Sequence, residues 1–293
     1  MSKLYTTKVL AGLSVGIALL VIFGVVGWFY QNTQQKNDTV NEAQDTTSAA
    51  EGIQQQTPKV VEEEKPDFNV QALQSVLDDW SAGLPESSRA AVVLMDEEGN
   101  ELASVSREEA FFTASIYKLY VAYEGYRMVD AGTYDETTPY LNGKSLGECL
   151  DLMIRESNSP CAEKMWNGIG KEQLDTKMKE YGLKNTSMLG LSTTAEDAAI
   201  ILARIERGEG LSKESQAKFL ESMKTQIYRD TLNVGFSSNV IVYNKIGFNG
   251  QLEYHDTAIA KLTDGRTIVV SVLTSEVGTK NIVALGQKLE AAF

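Results

Sequence analysis

Strand-like runs fall only at the two ends of the folded part of this chain. Near its start, AAVVLMD (Ala90–Asp96) and ELASVS flank Glu97-Glu98-Gly99-Asn100 and read as a β-hairpin. Near its end, NVIVYNKIG, DTAIAKL and TIVVSVLT are three more runs, the last two joined by a turn at Thr263-Asp264-Gly265-Arg266. Between them, Leu146 to Met223 is mostly helical in its apolar spacing. The layout predicts an α/β (α+β) fold: an antiparallel five-stranded sheet built from both ends of the domain, flanked by helices, with a mostly helical lobe inserted. Val70, Leu73, Val76, Leu77 and Trp80 mark an opening helix, and Asn281–Ala292 a closing one. No internal repeat is present.

Ahead of this domain, Val9–Tyr30 runs for 22 residues without a charge. That length crosses about 30 Å of hydrocarbon as a helix. Trp28, Phe29 and Tyr30 end it as an interfacial belt, and Lys3 and Lys8 precede it, which places the N-terminus in the cytoplasm. A cleaved signal peptide is the rival reading, but no small-x-small site follows Tyr30. Gly12 and Gly16 form a GxxxG that points only weakly to self-association. Residues 31–66 are polar and lack aromatics, a composition that stays disordered, so they read as a tether reaching on the order of 35 Å or as a partner-binding tail. The expected organisation is a cytoplasmic tail (1–8), a transmembrane helix (9–30), a linker (31–66) and an extracytoplasmic domain (67–293). The expected location is the cell membrane, single-pass.

The net charge of −13 leaves no basic stripe for nucleic acid. One histidine, His255, and two cysteines, Cys149 and Cys161, do not make a dedicated zinc site, so no metal or other cofactor is expected. A serine–histidine–acid triad would have to use His255, which precedes DTAIAKL and reads as a structural or edge residue. The two cysteines lie where disulfides persist. They are either free or joined in one bridge between adjacent helix ends, which would pin the segment around Ser157.

The chemistry concentrates at TASIYKLY (113–120). Ser115 and Lys118 are spaced i, i+3 and share a helix face in an apolar setting: Phe111 and Phe112 precede them, and Ile116, Leu119 and Val121 surround or follow. Desolvation lowers a lysine's pKa, and a neutral amine there can take the proton of Ser115. SxxK alone is a poor signal. A second copy, Ser215–Lys218 (SQAK), reads as an exposed helix. Downstream, Ser157-Asn158-Ser159 precedes a helix and Lys245-Ile246-Gly247 ends a strand. Taken singly these are a helix cap and a strand end.

Taken together, SxxK, then Ser-x-x before a helix, then Lys-x-Gly on a late strand resemble the penicillin-recognising serine enzymes: class A β-lactamases and D-alanyl-D-alanine peptidases. The resemblance runs from about Asp67 to Phe293 and includes MIRESNSPCAEKM and LSTTAEDAAIILARI. It implies Ser115 as the acylated nucleophile, Lys118 as its base and Ser157 as the proton relay to the leaving amine. It implies substrate binding by Ser159, Lys245, Gly247 and Phe248, with Lys245 on the substrate carboxylate and the N–H groups of Ser115 and Phe248 as the oxyanion hole. The implied partner is a cell-wall peptide ending in D-alanine, or a β-lactam.

Three departures bear on activity. Asn158-Ser159 stands where the family has Asp-Asn, and Ile246 stands where it has a hydroxyl residue. The stretch Gly182–Ala195 carries no carboxylate to activate the deacylating water; Glu180 and Glu196 only flank it. Slow β-lactam turnover by a peptidase-like enzyme is therefore expected. A β-lactamase with a relocated base and a catalytically weak binding module are the alternatives. Asp151, Glu156 and Glu163 read as solvated charges.

Overall fold

The computed structural model describes residues 66–250 and 252–293. The apolar run and nearly all of the linker lie outside them. Among the described residues no helix is long and apolar enough to cross a membrane.

In chain order the elements are α1 (Val70–Ala82), β1 (Arg89–Asp96), β2 (Glu101–Val105), β3 (Phe111–Phe112), a 3-10 turn (Ala114–Ile116), α2 (Tyr117–Asp130), β4 (Pro139–Leu141) and β5 (Lys144–Ser145). Next come α3 (Leu146–Arg155), α4 (Ser159–Ile169), α5 (Lys171–Glu180), β6 (Ser192–Thr193), α6 (Ala195–Glu206), α7 (Lys213–Lys224) and α8 (Leu232–Gly235). The chain ends with β7 (Ile241–Phe248), β8 (Tyr254–Lys261), β9 (Thr267–Ser275) and α9 (Thr279–Ala292). The five long strands form one sheet in the order β2-β1-β9-β8-β7, antiparallel throughout. The last strand of the chain thus lies against the first, as the strand layout predicts.

Alternation along the strands builds two cores. Ala91, Val93 and Met95 of β1, with Val269 and Leu273 of β9, face the helical lobe. Val92 and Leu94, with Ile268, Val270 and Val272, face α1 and α9 on the other side. Both faces are covered, so β9 is buried along its whole length. Edge strand β7 is left beside the lobe, and the seam between them forms the cleft described below.

Within the lobe, Cys149 of α3 and Cys161 of α4 form a disulfide, with Cα atoms 5.1 Å apart. It ties the two helices that flank Ser157. Ser145 and Glu148 make a reciprocal capping box at the start of α3. The second SxxK copy differs from its expected exposure. Ser215 is turned inward and donates to Asp130 (2.8 Å), while Lys218 pairs with Glu136 and Glu214. Its serine and lysine each have other partners. Replacing both bridged cysteines by alanine is expected to cost about 3 kcal/mol, the entropy of reopening a loop of roughly this size. A urea titration would show the lowered midpoint; an unchanged midpoint would contradict this.

Candidate active site

Ser115 sits in the 3-10 turn that leads into α2. The turn is clamped from outside the helix. Thr113 N–H donates to Leu191 O (2.8 Å), and Phe111–Phe112 pairs with Ser192–Thr193 of β6. Ala114 adopts a left-handed φ of 43° there. His255 completes the clamp. Its Nδ1 accepts from Thr274 N–H (3.1 Å), which leaves the proton on Nε2 for Phe112 O (2.8 Å). Burial pushes its pKa down to about 4, partly opposed by the Phe112 carbonyl and Glu253. His255 is thus neutral and structural. It lies inside β8, fully buried, where the sequence placed it ahead of the strand.

Lys118, one turn on, is 1% exposed. Its Nζ lies 3.1 Å from Ser115 Oγ, 2.6 Å from Ser157 O, 3.2 Å from Ser157 Oγ and 3.0 Å from Ser159 Oγ. A neutral amine has two N–H donors and one lone pair. It can donate to Ser157 O and Ser159 Oγ while accepting the Ser115 hydroxyl proton. Burial lowers the Lys118 pKa to about 8, and Glu163 opposes the shift.

Ser157 follows α3 with φ 54°, a left-handed position that usually takes glycine or asparagine at a helix end. A serine there carries strain of the kind found at functional sites. Asn158 does not reach into the cleft as a substrate ligand: its side chain caps α4, accepting from Cys161 N–H at 3.0 Å. Ser159, the first residue of α4, is drawn to Lys118 instead.

Lys245 projects from β7 and is fully buried. Its Nζ donates to Ser157 Oγ (3.1 Å) and to Ile246 O (2.8 Å). Ser157 Oγ therefore lies between two amines. Burial and the neighbouring Lys118 hold the Lys245 pKa well below its ordinary value, against the opposing charge of Asp256. Asp256, also fully buried, accepts from Thr231 Oγ1, Leu232 N–H and Asn244 Nδ2. The structure thus places Lys245 behind Ser157 rather than on the cleft wall expected for a carboxylate ligand.

Two further residues explain why β7 stays in place although it is an edge. Gln226 donates to Asn244 O (2.8 Å) and accepts from Ile246 N–H (3.2 Å), mimicking a neighbouring strand. Gly247 lets β7 approach the Ser115 turn. A Cβ there would lie 2.9 Å from Ile116 Cγ1, 3.0 Å from Thr113 O and 3.1 Å from His255. Sequence reading missed Gln226 and Asp256, since a lone glutamine and a lone buried aspartate carry no local pattern.

The cleft has two adjoining cavities. One, about 530 Å³, is lined by Ser115, Lys118, Ser157, Ser159, Ile246 and Phe248, and also by Tyr228, Asp230 and Tyr254. The other, about 350 Å³, shares Ser115, Lys118, Ser159 and Phe248 and is walled by Glu163, Trp166 and Leu191 among others. Glu163 is exposed but is not a remote surface charge: it lines the same cavity as Ser115. Asp230 and Tyr228 are cleft residues that no sequence motif marks. Gly247→Ala is expected to destabilise the domain on the order of 1–3 kcal/mol by forcing the turn and β7 apart. Chemical denaturation measures this, and a wild-type midpoint would refute the close approach.

Comparisons with known proteins bear on the family and the fold. The Beta-lactamase enzyme family is matched over residues 72–290. Among solved structures, a PBP-A variant held as its acyl-enzyme with penicillin G is 19% identical, with a TM-score of 0.68, covering 78% of this chain and 97% of that one. A putative class A β-lactamase, PenP, from Rhodopseudomonas palustris is 18% identical, with a TM-score of 0.68 and coverage of 76% and 100%. A class A β-lactamase representative from Bacteroides cellulosilyticus is 15% identical, with a TM-score of 0.69 and coverage of 78% and 99%. No curated protein matches the chain. The chain belongs to the β-lactamase enzyme family and is a serine hydrolase of that kind.

Proposed function

We propose that the domain is an extracytoplasmic acyl-transfer hydrolase that forms an acyl-enzyme at Ser115, acts on D-alanine-containing cell-wall peptides and releases β-lactam adducts slowly. Residues 9–30 would hold it to the membrane. The observation that carries this reading is the Ser115–Lys118–Ser157–Lys245 chain, with every step between 3.1 and 3.2 Å.

Lys118 takes the Ser115 proton as Oγ bonds to the carbonyl carbon. Ser157 passes a proton from Lys118 to the leaving nitrogen as the C–N bond breaks, and Lys245 steadies its oxygen. Asn244 O and Ile246 N–H both face outward from the edge of β7, and groups two residues apart on a strand face the same way. Phe248 is next in that series. Its N–H then faces the cleft beside Ser115 as the second oxyanion donor. One such donor is worth about 2.7–4 kcal/mol in transition-state stabilisation. Slow release follows from the Gly182–Ala195 loop, which brings Leu191 to the cleft and no carboxylate.

One observation favours a second reading. Glu163 lies four residues after Ser159 on α4, on the same helix face, and lines the cavity that holds Ser115 and Lys118. It is the candidate for a relocated water base in a true β-lactamase.

Intact mass spectrometry separates the two. The full chain mixed with a β-lactam is expected to carry one lasting adduct that is absent from Ser115→Ala. An adduct that is short-lived in wild type but lasting in Glu163→Gln supports the β-lactamase reading. A wild-type level of adduct on Ser115→Ala would refute both. The acylation rate should rise with pH and level off above about 8, because only the neutral Lys118 amine accepts the Ser115 proton. A rate that is flat between pH 6 and 9 would remove Lys118 as the base.

A further inference from the structure

The two cavities of the cleft divide the substrate between them. Ser157 lines only the larger. If Ser157 hands its proton to the leaving nitrogen, the larger cavity holds the leaving group, an assignment that rests on the proposed acyl-transfer function.

The wall of this half is aromatic and acidic. Tyr228 is 44% exposed and Phe248 54% exposed. The rings of Phe248 and Tyr254 are 5.3 Å apart, and the Tyr254 hydroxyl donates to Asp230 Oδ1 at 2.7 Å. That bond holds a carboxylate against Tyr254, in a cavity that Tyr228 and Phe248 also line. Among the described residues, counter-cations are missing from the same wall. Lys245 is buried and committed to Ser157 and Ile246 O. Arg229, although next to Asp230 in sequence, donates to the carbonyls of Lys224 and Val242 and lines a separate groove. Of the described residues, Lys118 is the only basic one whose side chain lines this half, and its amine is engaged with three serines. Ile246 contributes no hydroxyl. A free carboxylate at the far end of a leaving group would meet Asp230 without a partner. A cation would meet a carboxylate and aromatic rings, both of which attract it.

We propose that this half of the cleft, through Asp230, Tyr228, Phe248 and Tyr254, selects a leaving group that carries a cation at its far end. The bond cleaved is then an amide between the acyl donor and an amine of a basic residue, internal to a branched or cross-linked peptide rather than at a free C-terminus. Ser115 Oγ bonds to the carbonyl carbon and the C–N bond breaks. The Ser115 proton passes through Lys118 and Ser157 to the departing nitrogen, and the remote cation is untouched. The carboxylate of a β-lactam also meets Asp230, so acylation by such a drug needs a high concentration.

Three thioesters of one N-acyl-D-alanine test the proposal. Their leaving thiols are thiocholine (quaternary ammonium), 3-mercaptopropionamide (neutral) and 3-mercaptopropionate (carboxylate). With the full chain, kcat/KM divided by each ester's rate of hydroxide hydrolysis, which removes the difference in thiol acidity, is expected to fall in that order, with about tenfold or more between the first and last. Asp230→Asn should bring the ratio close to one, and Asp230→Lys should reverse it. The ratio is internal to each protein, so a variant that folds in lower yield still reads correctly. A carboxylate preference, or a ratio unchanged in Asp230→Asn, overturns the proposal while leaving Ser115 chemistry intact. Calorimetric binding of the same thioesters to Ser115→Ala gives the other distinction. If wild type hydrolyses none of them, but Ser115→Ala binds the thiocholine ester selectively and Ser115→Ala/Asp230→Asn does not, the charge selectivity stands and the serine reading falls. If neither hydrolysis nor selective binding occurs, the proposal falls too.

Discussion

The burial of the Lys118 amine among the oxygens of Ser115, Ser157 and Ser159 is the constraint on which the rest of this structure depends. An ammonium removed from water without a carboxylate against it is costly, and the inexpensive remedy is to lose the proton. Burial therefore does more than hide the side chain: it converts a surface-type cation into a base near neutral pH. The same logic applies to Lys245, whose amine faces Ser157 from the opposite side. Two amines that share one hydroxyl titrate as a pair, so the protonation of either depends on the other.

Much of the remaining architecture keeps those atoms within reach. The disulfide joins α3 to α4 and so holds the strained Ser157 between them. Gln226 satisfies the outer edge of β7, which would otherwise be free to shift or to pair elsewhere. Neutral His255 ties the segment before Ser115 to β8. Gly247 removes the one side chain that would hold strand and turn apart. Each contact is modest alone. Together they fix Ser115, Lys118, Ser157 and Lys245 within reach of one another across elements drawn from both ends of the domain.

The fold was legible because alternation along β1 and β9 and helical spacing between them are local patterns that a two-sided sheet obeys. Ser115, Lys118 and Ser157 were legible because their order along the chain resembles one family's motifs. The burial of Ser215 was not legible: whether a helical serine turns inward depends on Asp130, 85 residues away. Lys245 looked like a cleft residue, yet the path of β7 places it behind Ser157. Glu163 reads as a solvated charge and Asp230 carries no motif at all, since nothing in their neighbours shows which surface is a cleft. Such features arise from tertiary placement, which leaves no mark at the residue itself.

The charge state of Lys118 is the quantity that decides whether serine chemistry of this kind can run. Carbon-13 labelling of lysine Cε, with the Lys118 signal assigned by its loss in Lys118→Arg, allows its titration to be followed by NMR in the intact protein. A midpoint near 8 is expected. A midpoint at the ordinary value for an exposed lysine, about 10.4, would mean the amine is a cation throughout the physiological range and could not accept the Ser115 proton.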